Sequence, residues 1–93
     1  MKVKNMNGTS SLKCNCGTWI DHWHNFTNQT ATRCRAKGCS RTDILGAHVT
    51  KCNSTDAATY IVPFCNLHNK QLGCIEINDG TELAPANKSK TCK

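Results

Sequence analysis

The sequence predicts a small α+β domain, and three local patterns indicate this class. Residues 18–23 carry a helix-start signal followed by apolar residues on one helical face. The runs ILGAHVT and TYIVPF are short and rich in β-branched residues, which favours strands. From Cys65 the spacing becomes helical again and ends at Gly73. The predicted order is therefore helix, loop, two strands, helix and a C-terminal hairpin.

The first helix is predicted from its N-cap. Thr18 precedes the helix and Asp21 follows three residues later, which is the spacing of a capping box. Trp19, Ile20 and Trp23 then fall on one face, and we expect this face to be buried. Both indoles should therefore be largely buried.

The second helix should cover residues 65–72, because Phe64, Leu67 and Leu72 share one helical face and Gly73 is a favoured C-terminal stop. The following segment, CIEINDGTELA, alternates in polarity around Asp79-Gly80, the dipeptide preferred in type I′ turns. It predicts the β-hairpin. Residues 1–13 are polar and are predicted to be a flexible tail, which leaves residues 14–93 as one domain.

A domain of 93 residues with few large apolar side chains has a small core, so eight cysteines and four histidines are the obvious source of extra stability. The polar N-terminus lacks the apolar stretch of a secretory signal, and no segment is long enough to span a membrane. We therefore expect a monomeric, cytoplasmic protein whose cysteines bind metal. Secretion, with disulfides instead, is the alternative.

Two close pairs of ligand residues predict a structural metal site. Cys34 and Cys39 are separated by four residues, and Cys65 and His68 by two. Structural zinc is usually held by two such pairs on separate turns, so these four residues are predicted to bind Zn²⁺. The alternative is that Cys65 packs as a small hydrophobic residue and His68 is an ordinary helix residue.

The remaining cysteines allow two further hypotheses. Cys14 and Cys16, joined by Cys92 near the C-terminus, are candidates for a second metal site that His22 or His24 would complete. The alternative is a pair of free thiols on a mobile tail. Cys52 and Cys74 lie outside the ligand pattern and are the best disulfide candidates if the protein is exported.

The formal charge of +6 favours polyanionic partners, of which nucleic acid is the commonest in a cell. The basic residues densest in sequence, and therefore the candidates for phosphate contacts, are Arg33, Arg35, Lys37 and Arg41. His48, near the end of the first predicted strand, has three possible roles: metal ligand, general base or core histidine. Position alone favours the core role.

The run CRAKGCSRTDILGAHVTKCNSTDAATYIVPFCNLHNK resembles a zinc-containing HNH nuclease module of the ββα-metal (His-Me finger) class. The resemblance covers roughly residues 34–70 and implies a ββα-metal core around the structural zinc. It also implies that His48 is the general base that activates water. Asn69 matches the residue that binds the catalytic cation, such as Mg²⁺.

The sequence departs from the family pattern at three positions. Ala47 replaces the acidic residue or second His that usually precedes the catalytic His, Tyr60 replaces the middle Asn, and Asn69 stands where His is common. A hard cation prefers carboxylate ligands, which Asp43 or Asp56 would have to supply.

Three functions therefore remain open. The first is a metal-dependent nuclease, and the second is a non-catalytic zinc module that binds nucleic acid or protein. The third is a secreted, cationic, disulfide-rich protein that acts on membranes or microbes.

Overall fold

A computed structural model describes residues 1–6, 18–56 and 58–86. The chain forms two helices and five strands in the order β1 (Lys2–Asn5), α1 (Trp19–Thr27), β2 (Ile44–Lys51), β3 (Tyr60–Cys65), α2 (Asn66–Asn69), β4 (Cys74–Glu76) and β5 (Ala84–Pro85). The strands make one antiparallel sheet with the order β4-β1-β2-β3-β5. The predicted α+β class is therefore confirmed.

The sheet is centred on the predicted pair β2 and β3, which align Ala47 with Val62 and His48 with Ile61. Because side chains alternate along a strand, Ala47 and His48 point to opposite faces. Ala47 belongs to a buried cluster with Val49 and Val62, on the face that we call the α2 face. Ile61 packs with helix α1 on the other face, the α1 face. The sheet thus separates two small cores.

Helix α1 begins as the sequence predicts. Thr18 accepts a hydrogen bond from the Asp21 amide, and the Asp21 carboxylate accepts one from the Thr18 amide, which completes the capping box. Trp23 is fully buried and its indole N–H donates to the Glu82 carbonyl over 2.9 Å. Trp19 is only partly buried. The expected burial is therefore complete for Trp23 and partial for Trp19.

Helix α1 approaches β2 very closely at Gly46. A Cβ atom placed on Gly46 would lie 2.4 Å from the Trp19 carbonyl carbon and 2.6 Å from the Ile20 nitrogen. The helix backbone therefore occupies the space that a side chain at position 46 would need. Gly46 and His48 share a strand face, so the same close approach covers His48.

The N-terminus differs from its prediction. Residues 2–5, assigned to a flexible tail, form β1 inside the sheet, with Val3 fully buried between β2 and β4. The short apolar–polar alternation KVKN was too brief to stand out in a polar segment. Residues 7–13, the rest of the predicted tail, lie outside the described residues.

The predicted C-terminal hairpin is wrong. Asp79-Gly80 does form a turn, in which the Thr81 amide donates to the Asn78 carbonyl over 3.2 Å. However, β4 pairs with β1 at one edge of the sheet, and β5 pairs with β3 at the other edge. The local turn signal was correct, but each flanking strand found its partner elsewhere in the chain.

Helix α2 is shorter than predicted. It spans a single turn, and Leu67 and Leu72, expected on its buried face, are 59 % and 82 % exposed. The chain order β2, β3, α2 agrees with the predicted ββα order. One turn of helix leaves much less of the sheet covered than the longer predicted helix would.

A disulfide joins Cys52, in the loop after β2, to Cys74, the first residue of β4. This is the pair expected to form a disulfide if the protein is exported. The two residues are 22 positions apart, and the bond ties the β2–β3 connection to an edge strand. No helix in the described part of the chain is long and apolar enough to cross a membrane.

We expect Gly46→Ala to lower the free energy of unfolding by about 1–3 kcal/mol, because the new methyl group would force α1 away from β2. Chemical denaturation of the purified protein measures this. Gly80→Asn is the control: Gly80 has a φ of +80° but no atom within 4 Å of its added Cβ, and Asn tolerates this backbone conformation. Equal stabilities for the Gly46 variant and the parent would contradict the close approach.

Candidate metal centre

The first ligand pair lies on a loop that backbone hydrogen bonds hold against the sheet. The Cys34 amide donates to the Arg41 carbonyl over 2.9 Å, and the Cys39 amide donates to the Ala36 carbonyl over 3.0 Å. Gly38, with φ of +80°, permits the tight turn before Cys39. The two cysteines are thereby turned toward the same side of the loop.

The loop is also anchored to two other segments. The Arg35 amide donates to the Pro63 carbonyl of β3 over 2.9 Å. Ala36 forms an isolated antiparallel bridge with Ile77, just after β4. The loop therefore bridges β3 and the segment that follows β4.

The second ligand pair lies at the junction of β3 and α2. Cys65 is the last residue of β3 and also the N-cap of α2, where its sulfur accepts a hydrogen bond from the His68 amide over 3.4 Å. One helical turn then returns the His68 imidazole toward the cysteine. Asp43 supports the same turn by accepting hydrogen bonds from the Asn66 amide and side chain.

The four predicted ligands converge. One ligand atom each from Cys34, Cys39, Cys65 and His68 lie within 4.8 Å of one another. His68 Nδ1 is 3.6 Å from the Cys34 sulfur and 3.2 Å from that of Cys65, and the Cys39 and Cys65 sulfurs are 4.0 Å apart. Around a tetrahedral zinc ion, ligand distances imply about 3.8 Å between sulfurs and roughly 3.5 Å between sulfur and nitrogen. The spacing is compatible with such an ion.

The thiols of the cluster differ in their pKa values. Burial raises the pKa of the Cys34 thiol to about 11. For Cys65, burial acts in the same direction, but hydrogen bonds from His68 and the neighbouring cysteines outweigh it and lower the pKa to about 7. Cys34, Cys39 and Cys65 are all unoxidised. A divalent ion among them would favour the thiolate form of each.

His48 lies on the α1 face and is 7 % exposed. Its ring is edge-on to that of Trp19, with 4.5 Å between centroids, and its Nε2 has no hydrogen-bond partner in the described chain. Burial, and secondly the charge of His22, lower the pKa of His48 below its ordinary value. His48 therefore occupies a core position.

The structure does not bring His48 and Asn69 together. Asn69 ends α2, and α2 lies on the α2 face, where the Asn5 side chain donates to the His68 carbonyl over 2.7 Å and to that of Gln71 over 3.0 Å. His48 points to the opposite face, toward Trp19. The sheet separates the two side chains that the nuclease resemblance places around one cation.

The two carboxylates considered as cation ligands are engaged elsewhere. Asp43 forms a two-point ion pair with Arg41, with both distances 3.0 Å, which holds its pKa well below the usual range. Asp56 accepts a hydrogen bond from Tyr60 and forms a 3.3 Å ion pair with Lys51, and its pKa is also lowered. Neither interaction involves His48 or Asn69.

The four basic candidates have different surroundings. Arg41 is paired with Asp43. The Arg35 guanidinium carbon lies 5.4 Å from the centroid of the Trp23 ring. Arg33 and Lys37 are exposed, and within the described residues neither has an ion-pair partner. Of these four residues, Arg33, Arg35 and Lys37 are therefore more available to a ligand than Arg41.

The candidate second metal site cannot be placed, because Cys14, Cys16 and Cys92 lie outside the described residues. The two histidines suggested for it have contacts within the fold. His22 is fully buried, with Nε2 2.8 Å from the Pro85 carbonyl oxygen, and His24 Nε2 accepts the Ala31 amide over 3.1 Å.

Sequence reasoning missed two residues that position the centre. Asn5 holds the end of α2 through its side chain, and Asp43 holds the beginning. A helix-capping Asp is usually sought directly before a helix, whereas Asp43 is 23 residues away from Asn66. No local signal marks either residue.

Comparisons of the chain with protein-family models, with curated proteins and with solved structures found no match.

We expect His68→Ala to bind one divalent ion fewer per chain than the parent protein, because it removes one of the four candidate ligands and leaves three thiols, two of them buried, without their cation. Titration with Co²⁺, whose thiolate complexes absorb strongly, measures the loss. Metal-linked folding energies of about 10–16 kcal/mol predict that the fold is also lost. Cys52→Ser/Cys74→Ser, which removes two cysteines outside the cluster, should keep the ion. Equal ion contents in the His68 variant and the parent would exclude the four-residue site.

We expect the His48 imidazole to titrate below its ordinary pKa of about 6.5. Because burial lowers the pKa of His48 in the folded protein, the unfolded chain takes up this proton at a higher pH than the folded protein does. The stability that the neutral imidazole contributes is therefore present above the unfolded pKa and decreases as the pH falls below that value. The slope approaches about 1.4 kcal/mol per pH unit for one fully suppressed proton. NMR titration of the ring protons gives the pKa directly. A value at or above 6.5 would contradict the buried, neutral position.

Proposed function

We propose that the protein is a zinc-stabilised module that binds nucleic acid and has no catalytic cation site. The convergence of Cys34, Cys39, Cys65 and His68 carries the first half of this proposal. Three thiolates and one imidazole are ligands that suit zinc, and a site closed by four protein ligands is typical of structural rather than catalytic zinc.

Zinc binding would supply folding free energy that the small hydrophobic core of this domain cannot provide. It would join the loop of residues 34–39 to the β3–α2 junction, two segments that otherwise contact each other in the described chain through apolar packing and the backbone hydrogen bond from Arg35 to Pro63. The order β2, β3, α2 and the ligand spacing resemble those of zinc-containing HNH modules. This resemblance supports a similar architecture around the proposed zinc.

Nucleic acid is proposed as the partner because of charge. The chain carries a formal charge of +6. Arg33 and Lys37 are exposed, form no ion pair with any residue that the structure describes, and lie on the loop that holds two of the candidate metal ligands. A rigid loop that presents cations loses little conformational entropy when it contacts phosphates. The pairing of Arg41 with Asp43 makes that residue a weaker candidate.

Hydrolysis is the second candidate function, and one observation favours it: the partnerless Nε2 of His48. Against it stand the burial of that imidazole below Trp19 and its separation from Asn69 by the sheet. A general base must reach its water, and a catalytic Mg²⁺ needs oxygen ligands close to that water. The geometry therefore favours the binding module.

The disulfide bears on location. Cytosolic proteins rarely keep a disulfide, so the Cys52–Cys74 bond supports secretion over the cytoplasmic location expected from the sequence. Zinc would protect the three remaining described thiols from oxidation in such a compartment. The protein would then be a secreted metal-binding domain with one disulfide among the described residues.

We expect labelled oligonucleotides to bind the zinc-loaded protein with an affinity that falls as salt rises. Removing two phosphate contacts with Arg33→Gln/Lys37→Gln should reduce the slope of log affinity against log salt by about 2. Lys2→Gln/Lys4→Gln removes the same charge from exposed positions of β1 and should leave the slope nearly unchanged. Fluorescence polarisation over a salt series measures both.

Three results would count against the proposal. Absence of oligonucleotide binding at low salt would exclude the partner, and equal slopes for the two double variants would exclude the loop as its site. Cleavage of plasmid or RNA in Mg²⁺, abolished by His48→Ala with the zinc content unchanged, would establish the nuclease instead.

A further inference from the structure

A surface pocket of about 350 Å³ opens beside the candidate metal centre. Its size is at the low end of the range for small-ligand pockets, roughly 300–1000 Å³. Six residues line it: Thr32, Arg33, Cys34, Arg35, Cys39 and Asn78. No aliphatic or aromatic side chain and no carboxylate is among them, so the lining suits a polar anion better than an apolar ligand.

We infer that this pocket binds a phosphate group of the nucleic-acid backbone, with Arg33 and Arg35 as its cationic contacts and Thr32 and Asn78 as neutral donors. The inference rests on the proposed function for the identity of the polymer. The pocket itself is defined by the described side chains alone.

Arg35 is held in place without being neutralised. Its guanidinium lies over the fully buried Trp23, and Trp23 is fixed by its hydrogen bond to the Glu82 carbonyl. Within residues 1–6, 18–56 and 58–86, no carboxylate forms an ion pair with Arg35, and its Nε has no acceptor. Because Nε is buried, the contact with phosphate would fall to the two Nη groups, whose planar geometry suits a two-point contact.

Asn78 also lines the pocket, and backbone pairing places it beside Arg35. Its amide N–H donates to the Arg35 carbonyl over 2.9 Å, next to the bridge between Ala36 and Ile77. Within the described residues the Asn78 side chain makes no hydrogen bond, so its amide is a neutral donor for a ligand in the pocket.

The local charge favours an anion even with metal present. A divalent ion with three thiolates and a neutral imidazole has a net charge of −1, whereas Arg33 and Arg35 contribute +2. The nearest carboxylate in sequence, Asp79, is exposed and does not line the pocket. Because Cys34 and Cys39 form one wall, a metal ion bound to their sulfurs would also fix this side of the pocket.

The same geometry separates Arg35 from Arg41, which the sequence could not distinguish. Arg41 is outside the pocket lining, and Asp43 already occupies its guanidinium through two 3.0 Å contacts. Arg41→Gln is therefore a matched control, since it removes the same charge from the same loop region without touching the pocket.

The test uses the metal-loaded protein. First, inorganic phosphate is titrated into isotopically labelled protein, and we expect the amide resonances of residues 32–35 and 78 to shift most.

Second, oligonucleotide affinity is measured for two variants of the pocket. Asn78→Asp places a negative charge in the pocket while keeping the backbone pairing, and Arg35→Lys keeps the charge but loses the planar contact. Each should bind about tenfold more weakly. Arg41→Gln should stay within about twofold of the parent, as its guanidinium is already paired.

Metal content and circular dichroism establish that each variant is folded. If Arg35→Lys does not fold, Arg33→Gln, at an exposed position, replaces it as the test variant. Unchanged affinity in folded Asn78→Asp, with the salt response of Arg33→Gln/Lys37→Gln reduced as expected, would overturn the pocket and leave the proposed function intact. Phosphate shifts at the pocket without oligonucleotide binding would overturn nucleic acid as the partner and retain the phosphate site. If Arg41→Gln and Asn78→Asp lose oligonucleotide affinity equally, the loss follows the net charge of the protein and not the pocket, and the inference is overturned.

Discussion

Cys65 is the residue on which the rest of the site depends. It ends the central strand β3, caps helix α2 with its sulfur, and directs that sulfur to within 4.0 Å of the Cys39 sulfur. Strand, helix and loop are therefore oriented by one side chain. A metal ion at this point would convert three short-range contacts into one rigid junction, which matters in a domain whose two cores are each small.

The two faces of the sheet have separate roles. The α2 face holds the four candidate metal ligands and the larger apolar cluster, whereas the α1 face buries Trp23 and His48 under a nine-residue helix. Gly46 permits this close helix packing because it has no Cβ. The architecture therefore encloses His48, the histidine that a catalytic role would require to be exposed.

Features with short sequence spacing were predictable. The cap at Thr18, the strand pair β2–β3 and the four ligands each depend on residues that are neighbours in sequence or on two such pairs. Capping, alternation and ligand spacing are local rules, so they operate without knowledge of the remaining chain. The α+β class followed from these elements.

The sequence by itself determined the ligand residues, the central strands and the start of α1, because each is set by local chemistry. Only the tertiary structure decided that residues 2–5 enter the sheet and that β4 and β5 occupy opposite edges, since strand partners are chosen by long-range backbone pairing. It also decided that His48 faces Trp19 rather than Asn69. A strand has two faces, and which one a helix covers depends on how distant segments pack.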